Sequence, residues 1–350
     1  MFIRNCSIFR AVAVVIAIAT VFTATVSHAE PVVINSGNVI GSPLPGEMPH
    51  HMLQTQHDFA KLVALETNGE VDLKILEGKR QDIPVFGMPG MASEGEKIQA
   101  TAVPSFFLPR VPELNILEIP YLFRDSDHAA KYPSSEIAAL FSAMIEERYQ
   151  VKVIGHFLVA HHVGITSTDK PIVMPADFSG RHVNDDFESF APMWTNIKPA
   201  ARYSIGFADA AAGALHKNED LDTSIGMLQN LVVQKQYTKF KYATIAPSFY
   251  TFFYTFMINR NVWNELSESQ QAGINRAAKA AQVAAVDNEQ ATAIYHGALN
   301  RSLGVAIHMQ TADERAAWRD EFSDKVRDGI LEKSGETEKL SSYIEAIKSL

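Results

Sequence analysis

The ten residues Pro175-Ala-Asp-Phe-Ser-Gly-Arg-His-Val-Asn184 decide the fold. Their first half is a polar loop, Gly180 marks a tight turn, and the residues after it predict the start of a buried strand. The acidic and aromatic run Asp185-Asp-Phe-Glu-Ser-Phe190 follows at once. The stretch therefore predicts a loop, a turn and a buried strand with polar and aromatic side chains at its carboxyl end.

Residues 1–29 have the features of a secretory signal. Two arginines precede an apolar core at residues 11–26, and Ser27-His-Ala29 is a small-residue cleavage site. No later segment reaches the roughly eighteen apolar residues that a membrane span needs. We therefore expect a soluble mature chain that begins near Glu30 and is exported to the periplasm.

Charge and cysteine content exclude several classes of protein. The chain has 31 basic and 40 acidic residues, and its single cysteine, Cys6, lies in the predicted signal. The mature chain would then have neither a disulfide nor a cysteine nucleophile. Its acidic balance argues against nucleic acid or an anionic membrane as a partner.

The spacing of apolar residues predicts an α/β protein. Residues 32–34 and 71–76 are typical of strands, and residues 50–65 of a helix that stops at Asn68-Gly69. Residues 93–100 look like a short helix that Ser93 caps. Strand and helix in alternation favour an open, mostly parallel sheet, and a mature chain of about 320 residues favours two lobes.

Two further segments stand out. Pro112-Glu-Leu-Asn-Ile-Leu-Glu-Ile-Pro-Tyr-Leu-Phe-Arg-Asp125 contains two prolines that break any long helix. Met257-Ile-Asn-Arg-Asn-Val-Trp-Asn-Glu-Leu-Ser-Glu-Ser-Gln270 ends in a capping box formed by Ser267 and Gln270. An alanine-rich stretch continues to about Leu303, which predicts a long helix that leans on both lobes.

These three segments together resemble the substrate-binding proteins of TRAP (tripartite ATP-independent periplasmic) transporters, the DctP family. Residues 175–184 resemble that family's proline-x-Asp-Leu-x-Gly-x-Lys-Ile-Arg segment, and residues 112–125 its Pro-Phe-Leu-Phe-Arg-Asp box. Residues 257–270 resemble its Ile-Asn-Lys-x-x-Trp-x-x-Leu run. The resemblance covers nearly the whole mature chain, because the three segments occur in the family's order and with similar spacing.

The resemblance implies a two-lobed periplasmic binding protein of type II-like architecture, with a long helix spanning both lobes. We expect lobe I to comprise residues 30–161 and 250–289, and lobe II residues 162–249 and 290–350. The implied partners are a small solute and the membrane permease subunits of a TRAP transporter driven by an ion gradient. No ATP, cofactor or enzymatic activity is implied.

The ligand-gripping arginine of the family is replaced in this chain. The resemblance implies an Arg at the last position of the segment, where Asn184 stands, and a second one twenty residues upstream, where Gly164 stands. Strand alternation turns Arg181 away from the Asn184 side chain and leaves His182 on the same face. An alternative is that the alignment is shifted by one residue.

An acid is retained where the cations are lost. Asp209 stands where the family has a Glu, and a buried carboxylate needs a partner such as a ligand ammonium. Aromatic faces add cation–π attraction. We therefore predict an amine-bearing solute such as ethanolamine, and the candidate contact residues are Asn184, Asp209, Trp194, Phe207, Phe187, Tyr250 and His50.

Several alternatives remain open at this point. One alternative is that the aromatic residues serve only core packing. The cargo could be an organic acid bound through another cation or a helix N-terminus, and a periplasmic enzyme on a bilobed scaffold is a third possibility. A metal site is not predicted, because the neighbouring histidines of His50-His51 and His161-His162 face opposite ways on a strand. No nucleophile elbow, phosphate loop or dinucleotide fingerprint occurs.

Overall fold

Nine strands form one mixed sheet in the part of the chain that the structure describes. This structure is a computed structural model, and it describes residues 30–38, 51–76, 87–185, 188–206, 209–210 and 213–350. The predicted secretory signal lies outside these residues. The strands follow the order β2-β1-β3-β8-β4-β7-β5-β6, and β9 pairs with β8. Their bounds are β1 Val32–Asn38, β2 Val71–Ile75, β3 Ala100–Pro104, β4 Val151–Ser167, β5 His182–Asn184, β6 Ala201–Tyr203, β7 Thr223–Met227, β8 Tyr242–Asn259 and β9 Ala306–Met309.

Helices pack against the strands of the sheet. Their bounds are α1 His51–Glu66, α2 Met88–Glu94, α3 Ser126–Lys131, α4 Glu136–Tyr149, α5 Ala214–Lys217, α6 Asn230–Val233, α7 Arg260–Glu265, α8 Glu268–Ser302, α9 Ala312–Ser334 and α10 Thr337–Lys348. Short 3₁₀ helices include Pro112–Glu118 and Glu188–Trp194. None of the helices in the described ranges is both long and apolar enough to cross a membrane.

The two longest strands connect the lobes. β4 and β8 have 17 and 18 residues and pair antiparallel over almost their whole length, from Val151 opposite Asn259 to Ser167 opposite Tyr242. Nearly every residue in both strands is buried, which explains their β-branched and aromatic composition. Their pairing is interrupted near His161, where the sequence predicts that the chain passes from one lobe to the other, and this interruption is called the crossing point below.

The parallel strands of both lobes end towards the crossing point. In lobe I, β3 runs beside β8 from Ala100 opposite Ile258 to Pro104 opposite Tyr254, and β1 is parallel to β3. In lobe II, β7 runs along β4 towards Met227 opposite Val163, and β5 is parallel to β7. The carboxyl ends of these strands therefore face each other across the space between the lobes, which is where open α/β sheets bind ligands.

The predicted helix at residues 93–100 is wrong. Helix α2 lies earlier, with Pro89 in its first turn, and it ends at Gly95, whose φ of +76° is left-handed. Ala100–Pro104 is instead the strand β3, which pairs with β1 on one side and β8 on the other. Pairing with two distant segments overrides the local helix signal.

The long helix is confirmed. Ser267 Oγ accepts a hydrogen bond from the Gln270 N–H, and the Gln270 side chain accepts from the Ser267 N–H, as the capping box predicted. The helix continues to Ser302 and packs against α1 and β4 at one end and against β9 at the other. It therefore touches elements of both predicted lobes.

The last helix packs against lobe I. The Ile347 carbonyl is bonded to the His128 ring at 2.8 Å, and Lys131 donates to the Leu350 carbonyl at 2.6 Å. Lys339 donates to Glu113 at 3.1 Å. These partners belong to the range predicted for lobe I, although α10 itself lies in the range predicted for lobe II. The other lobe boundaries stay predictions.

Candidate ligand-binding crevice

A line of aromatic rings runs from lobe I to lobe II past the crossing point. Phe107 contacts Phe106 with ring centroids 4.6 Å apart, and Phe106 contacts Phe252 at 5.4 Å. Phe252 contacts Tyr250 at 4.4 Å, and Tyr250 contacts Phe190 at 6.0 Å. The line begins just after the carboxyl end of β3 and finishes in the 3₁₀ helix that follows β5. It forms an aromatic wall beside the strand ends.

The polar groups at the lobe I strand ends are uncharged amides and hydroxyls. Gln56 Nε2 donates to Asn38 Oδ1 at 3.1 Å, and both residues are buried. Thr101 Oγ1 donates to the Gly37 carbonyl at 3.3 Å. These side chains can exchange hydrogen bonds with a polar solute and contribute no fixed charge.

Asn184 binds the backbone of its own lobe. Its Oδ1 accepts from the Ile205 N–H at 2.8 Å, and its Nδ2 donates to the Ile205 carbonyl at 3.4 Å. The residue is 4% exposed. The side chain thus extends the pairing of β5 with the segment after β6. A contact between this amide and a solute stays a prediction.

Gly164 leaves no room for a cation. A Cβ atom on this residue would lie 3.1 Å from the Leu228 Cα, and Gly164 pairs directly with Gly226 of β7. A long side chain at this position would have to displace the backbone around Leu228. Close backbone packing at Gly164 therefore excludes the upstream arginine that the family resemblance implies.

One guanidinium near the strand ends is paired with a buried acid. Arg202 Nη2 donates to Asp185 Oδ2 at 2.8 Å, and the Asp185 side chain is fully buried. Trp194 Nε1 donates to the same oxygen at 2.8 Å, and the Arg202 guanidinium lies 5.7 Å from the Trp194 ring. The Trp194 ring also packs on Phe178 at 5.1 Å. Trp194 therefore supports the interior of lobe II.

Sequence reasoning overlooked Asp185 and Arg202 as a pair. They lie seventeen residues apart, and only the pairing of β5 with β6 brings them together. Arg181, by contrast, points away from Asn184 as strand alternation predicted, because it donates to Asp169 at 2.8 Å and lies 3.5 Å from Asp222.

The remaining predicted contact residues differ in their surroundings. The expectation of a buried carboxylate at Asp209 is wrong, because the residue is exposed and water can solvate its charge. Tyr250 is only 2% exposed, and its ring packs among Phe190, Phe249 and Phe252. His50, Phe187 and Phe207 lie outside the described residues.

A buried acid of the long helix also lies at the crossing point. Glu289 Oε1 accepts from the backbone N–H groups of His161 and His162, both at 2.9 Å, and from the His162 ring at 3.0 Å. Burial raises the pKa of Glu289, but the hydrogen bonds from His162 and the backbone outweigh it, so the pKa lies below its usual value. The only sequence signal was the helical spacing of this acid, four residues after Ala285 and eight after Ala281, which are both buried in the structure.

Metal ligands do not converge anywhere in the described ranges. No group of three or more His, Cys, Asp or Glu side chains there has the arrangement that an ion requires. The histidine pair at the crossing point is instead used in hydrogen bonds with Glu289, Ser248 and Thr251.

Comparison with known proteins identifies the family. Residues 47–333 match the bacterial extracellular solute-binding proteins of family 7, the DctP family. The chain belongs to this family. The predicted resemblance to the TRAP solute-binding proteins is therefore confirmed, and the family consists of binding components of transporters.

Related proteins align with this chain over most of its length. The C4-dicarboxylate-binding periplasmic protein DctP of Rhodobacter capsulatus is 22% identical over 312 residues, covering 88% of this chain and 89% of that protein. A TRAP periplasmic solute-binding protein from Desulfovibrio salexigens, solved with bound orotic acid, is 20% identical, has a TM-score of 0.75 and covers 91% of this chain and 98% of its own.

A third relative has a different cargo. The TRAP periplasmic solute-binding protein from Sulfurospirillum deleyianum, solved with bound succinate, is 18% identical, has a TM-score of 0.73 and covers 91% of this chain and 100% of its own. At this level of identity the two solved structures show the fold. They confirm the two-lobed α/β architecture predicted from the sequence.

Proposed function

We propose that this protein captures a small polar solute between its two lobes in the periplasm and delivers it to the membrane permease of a TRAP transporter. The observation that carries the proposal is the convergence of parallel strand ends from both lobes at the crossing point, in a member of the solute-binding family. A solute that contacts both lobes binds the closed form better than the open one and shifts the population towards it.

Export to the periplasm belongs to the same proposal. It is supported by the family and by the arginines, apolar core and small-residue site within residues 1–29. Sequencing the amino terminus of protein released from the periplasm tests it. We expect a chain that begins near Glu30, and an uncleaved amino terminus would contradict the proposal.

We propose that the cargo carries an amine, with ethanolamine as the first candidate. The support is electrostatic: Asn184 holds an amide that is bonded to Ile205, Gly164 has no side chain, and the Arg202 charge is balanced by Asp185. Asp209 is available as a counter-ion for an ammonium group. The aromatic wall adds cation–π attraction of about 0.5–2 kcal/mol for each well-placed ring.

Thermal unfolding of the mature protein with added solutes tests the amine proposal. Any co-purified compound is first removed by unfolding and refolding. A solute at about a hundred times its Kd stabilises the folded protein by about 2.7 kcal/mol. We expect ethanolamine to raise the unfolding temperature and succinate and glucuronate to leave it unchanged, and stabilisation by the acids alone would contradict the proposal.

A second candidate cargo is a small organic acid. It is favoured by Arg202, whose side chain is 33% exposed and oriented by the buried Asp185, and by the acids bound in the solved relatives. Guanidinium groups bind carboxylates through paired, charge-assisted hydrogen bonds. If this candidate is right, succinate should stabilise the unchanged protein, and Arg202→Gln should abolish that effect.

We also propose that the protein does not transform its cargo. Mass spectrometry of the compound released from denatured protein tests this. We expect the compound to be recovered chemically unchanged after incubation with the folded protein, whereas conversion to a product would favour an enzyme on this scaffold.

A further inference from the structure

The pairing of β4 with β8 is broken by a bulge at the crossing point. Ala160 pairs with Phe252 and His162 with Pro247, so the four residues 248–251 of β8 stand opposite His161 alone. These four residues are called the hinge bulge below. Ser248 has a φ of +66°, a left-handed conformation that residues other than glycine seldom adopt.

The His161 ring is bonded to both ends of the hinge bulge. Its Nε2 lies 3.0 Å from Ser248 Oγ, and its Nδ1 lies 3.0 Å from Thr251 Oγ1. Ser248 Oγ donates to the Arg124 carbonyl at 3.0 Å, so it must accept from the His161 Nε2–H. Nδ1 then accepts from the Thr251 hydroxyl. This assigns a neutral ring with its proton on Nε2.

Burial keeps the ring neutral. His161 is 1% exposed, and desolvation lowers its pKa to about 4, against a smaller opposing effect of Glu289. The bond pattern assigned above therefore holds at neutral pH.

The middle of the hinge bulge carries two rings that join the lobes. Phe249 contacts Phe190 at 5.6 Å and Trp318 at 5.3 Å, both of them in lobe II. Tyr250 contacts Phe190 at 6.0 Å and Phe252, which belongs to the aromatic wall, at 4.4 Å. The conformation of the bulge therefore determines how these rings lie against the second lobe.

The two ends of the bulge are not held equally. At the Ser248 end, the Tyr121 N–H donates to the Ser248 carbonyl at 2.9 Å, in addition to the bonds with Arg124 and His161. At the Thr251 end, the hydroxyl is bonded to His161 and to no other group in the described part of the chain. The Thr251 end thus depends most on His161.

We infer that His161 is a positioning residue for solute capture, because its two hydrogen bonds hold the hinge bulge and so set how Phe249 and Tyr250 join the lobes. This inference rests on the proposed capture of a solute by lobe closure. A bulge that is free to change shape lets the lobes sample more relative orientations, and closing them around a solute then costs more conformational entropy.

The chain contains a matched control in the same strand. His156 is also buried, and its pKa is likewise lowered to about 4 by desolvation. Its Nδ1 lies 3.0 Å from Thr255 Oγ1 and its Nε2 2.9 Å from Ser142 Oγ. His156 and Thr255 are direct partners within the stretch of unshifted pairing from Gly155 to Leu158, away from the hinge bulge.

The experiment compares Thr251→Val with Thr255→Val by pulsed electron–electron spin resonance of the mature chain. Each variant keeps the side-chain shape and removes one hydroxyl partner of one buried histidine. Spin labels are attached at Leu65→Cys in lobe I and Lys217→Cys in lobe II, both exposed positions, and the predicted mature chain has no thiol of its own. The distances between the labels report how the lobes are arranged without any solute.

We expect Thr251→Val to broaden the distance distribution and move population to other distances, whereas Thr255→Val keeps the distribution of the unchanged protein. Both should lower the unfolding temperature by similar amounts. An unchanged distribution for Thr251→Val, or the same broadening in both variants, would overturn the inference. His161→Gln and His156→Gln are a second pair that removes both bonds of each ring, with the same expected contrast.

Adding a solute separates this inference from the proposed function. Ethanolamine and succinate are each added at millimolar concentration to the labelled, otherwise unchanged protein. A shift to shorter distances with either compound supports lobe closure, and no shift with either counts against the proposed cargo classes. The comparison of the two valine variants is made without solute, so it decides the role of His161 in either case.

Discussion

Buried polar side chains around the crossing point are bonded to backbone groups of the hinge and of lobe II. Glu289 accepts from two successive backbone N–H groups of β4, and Asn184 is bonded to both backbone groups of Ile205. In a buried setting, each such side chain satisfies backbone groups that would otherwise be desolvated without a partner. Structural and binding roles therefore compete for the same few polar atoms.

Replacing Asn184 tests its structural role. Asn184→Ala leaves the Ile205 N–H without its partner, and we expect the free energy of unfolding to fall by about 1–3 kcal/mol. Urea unfolding measures the change. The matched control is Asn196→Ala, an exposed asparagine of the same lobe, whose loss should have little effect. Equal effects of the two substitutions would contradict the role assigned to Asn184.

At the scale of elements, the long helix α8 approaches α1 through a glycine. A Cβ atom on Gly273 would lie 2.7 Å from the Glu66 carbonyl oxygen, at the end of α1. Arg276 of α8 also bonds to Glu66, at 2.7 Å from its carboxylate. The close contact of the two helices thus requires a residue without a side chain.

Two glycine substitutions should affect stability differently. The added methyl group of Gly90→Ala in α2 meets no atom within 4 Å. Because alanine has the higher helix propensity, we expect this variant to be as stable as the unchanged protein or more stable by up to about 1 kcal/mol. Gly273→Ala must push α1 and α8 apart, and we expect a net destabilisation of about 1–3 kcal/mol. Thermal unfolding of both variants measures this, and a stabilised Gly273→Ala variant would show that the helices can separate at no cost.

At the scale of the whole molecule, the end of the chain returns to its first lobe. Arg148 Nη1 lies 2.7 Å from Glu113 Oε2, and Lys339 of α10 lies 3.1 Å from Oε1 of the same carboxylate. The hydrogen bond from Arg148 lowers the pKa of Glu113 to about 2, with smaller help from Lys339. An ion cluster therefore ties α10 to the 3₁₀ helix Pro112–Glu118 and to α4.

This cluster predicts a pH-dependent loss of stability. Because the pKa of Glu113 is depressed on folding from 4.5 to about 2, its stabilisation is present above pH 4.5 and disappears as the pH falls through about 2. Glu113→Gln should cost about 1–3 kcal/mol at neutral pH, since it removes hydrogen bonds between charged groups. In urea unfolding, the difference from the unchanged protein should shrink between pH 4.5 and pH 2.

The control for this prediction is Glu336→Gln. Glu336 also contacts Lys339, but its side chain is 51% exposed, so water already screens the pair and its loss should change stability little. A difference between Glu113→Gln and the unchanged protein that stays constant over the acidic range would mean that the carboxylate charge of Glu113 is not what stabilises the fold.

Local signals determined the parts of this protein that depend on neighbouring residues. The end of α1 before Asn68-Gly69, the capping box of α8 and the turn at Gly180 all follow from residues a few positions apart. The three family segments likewise predicted the two-lobed fold, because their order along the chain can be read from the sequence without knowing any contact.

Only the tertiary structure decided features that depend on distant pairing. Ala100–Pro104 became a strand because β1 and β8 flank it, and Asp185 met Arg202 because β5 and β6 are parallel. His161 lies 90 residues before Thr251 in the chain, yet the two are hydrogen-bonded. A hydrogen bond requires two groups to meet in space, and their separation along the chain carries no information about that meeting.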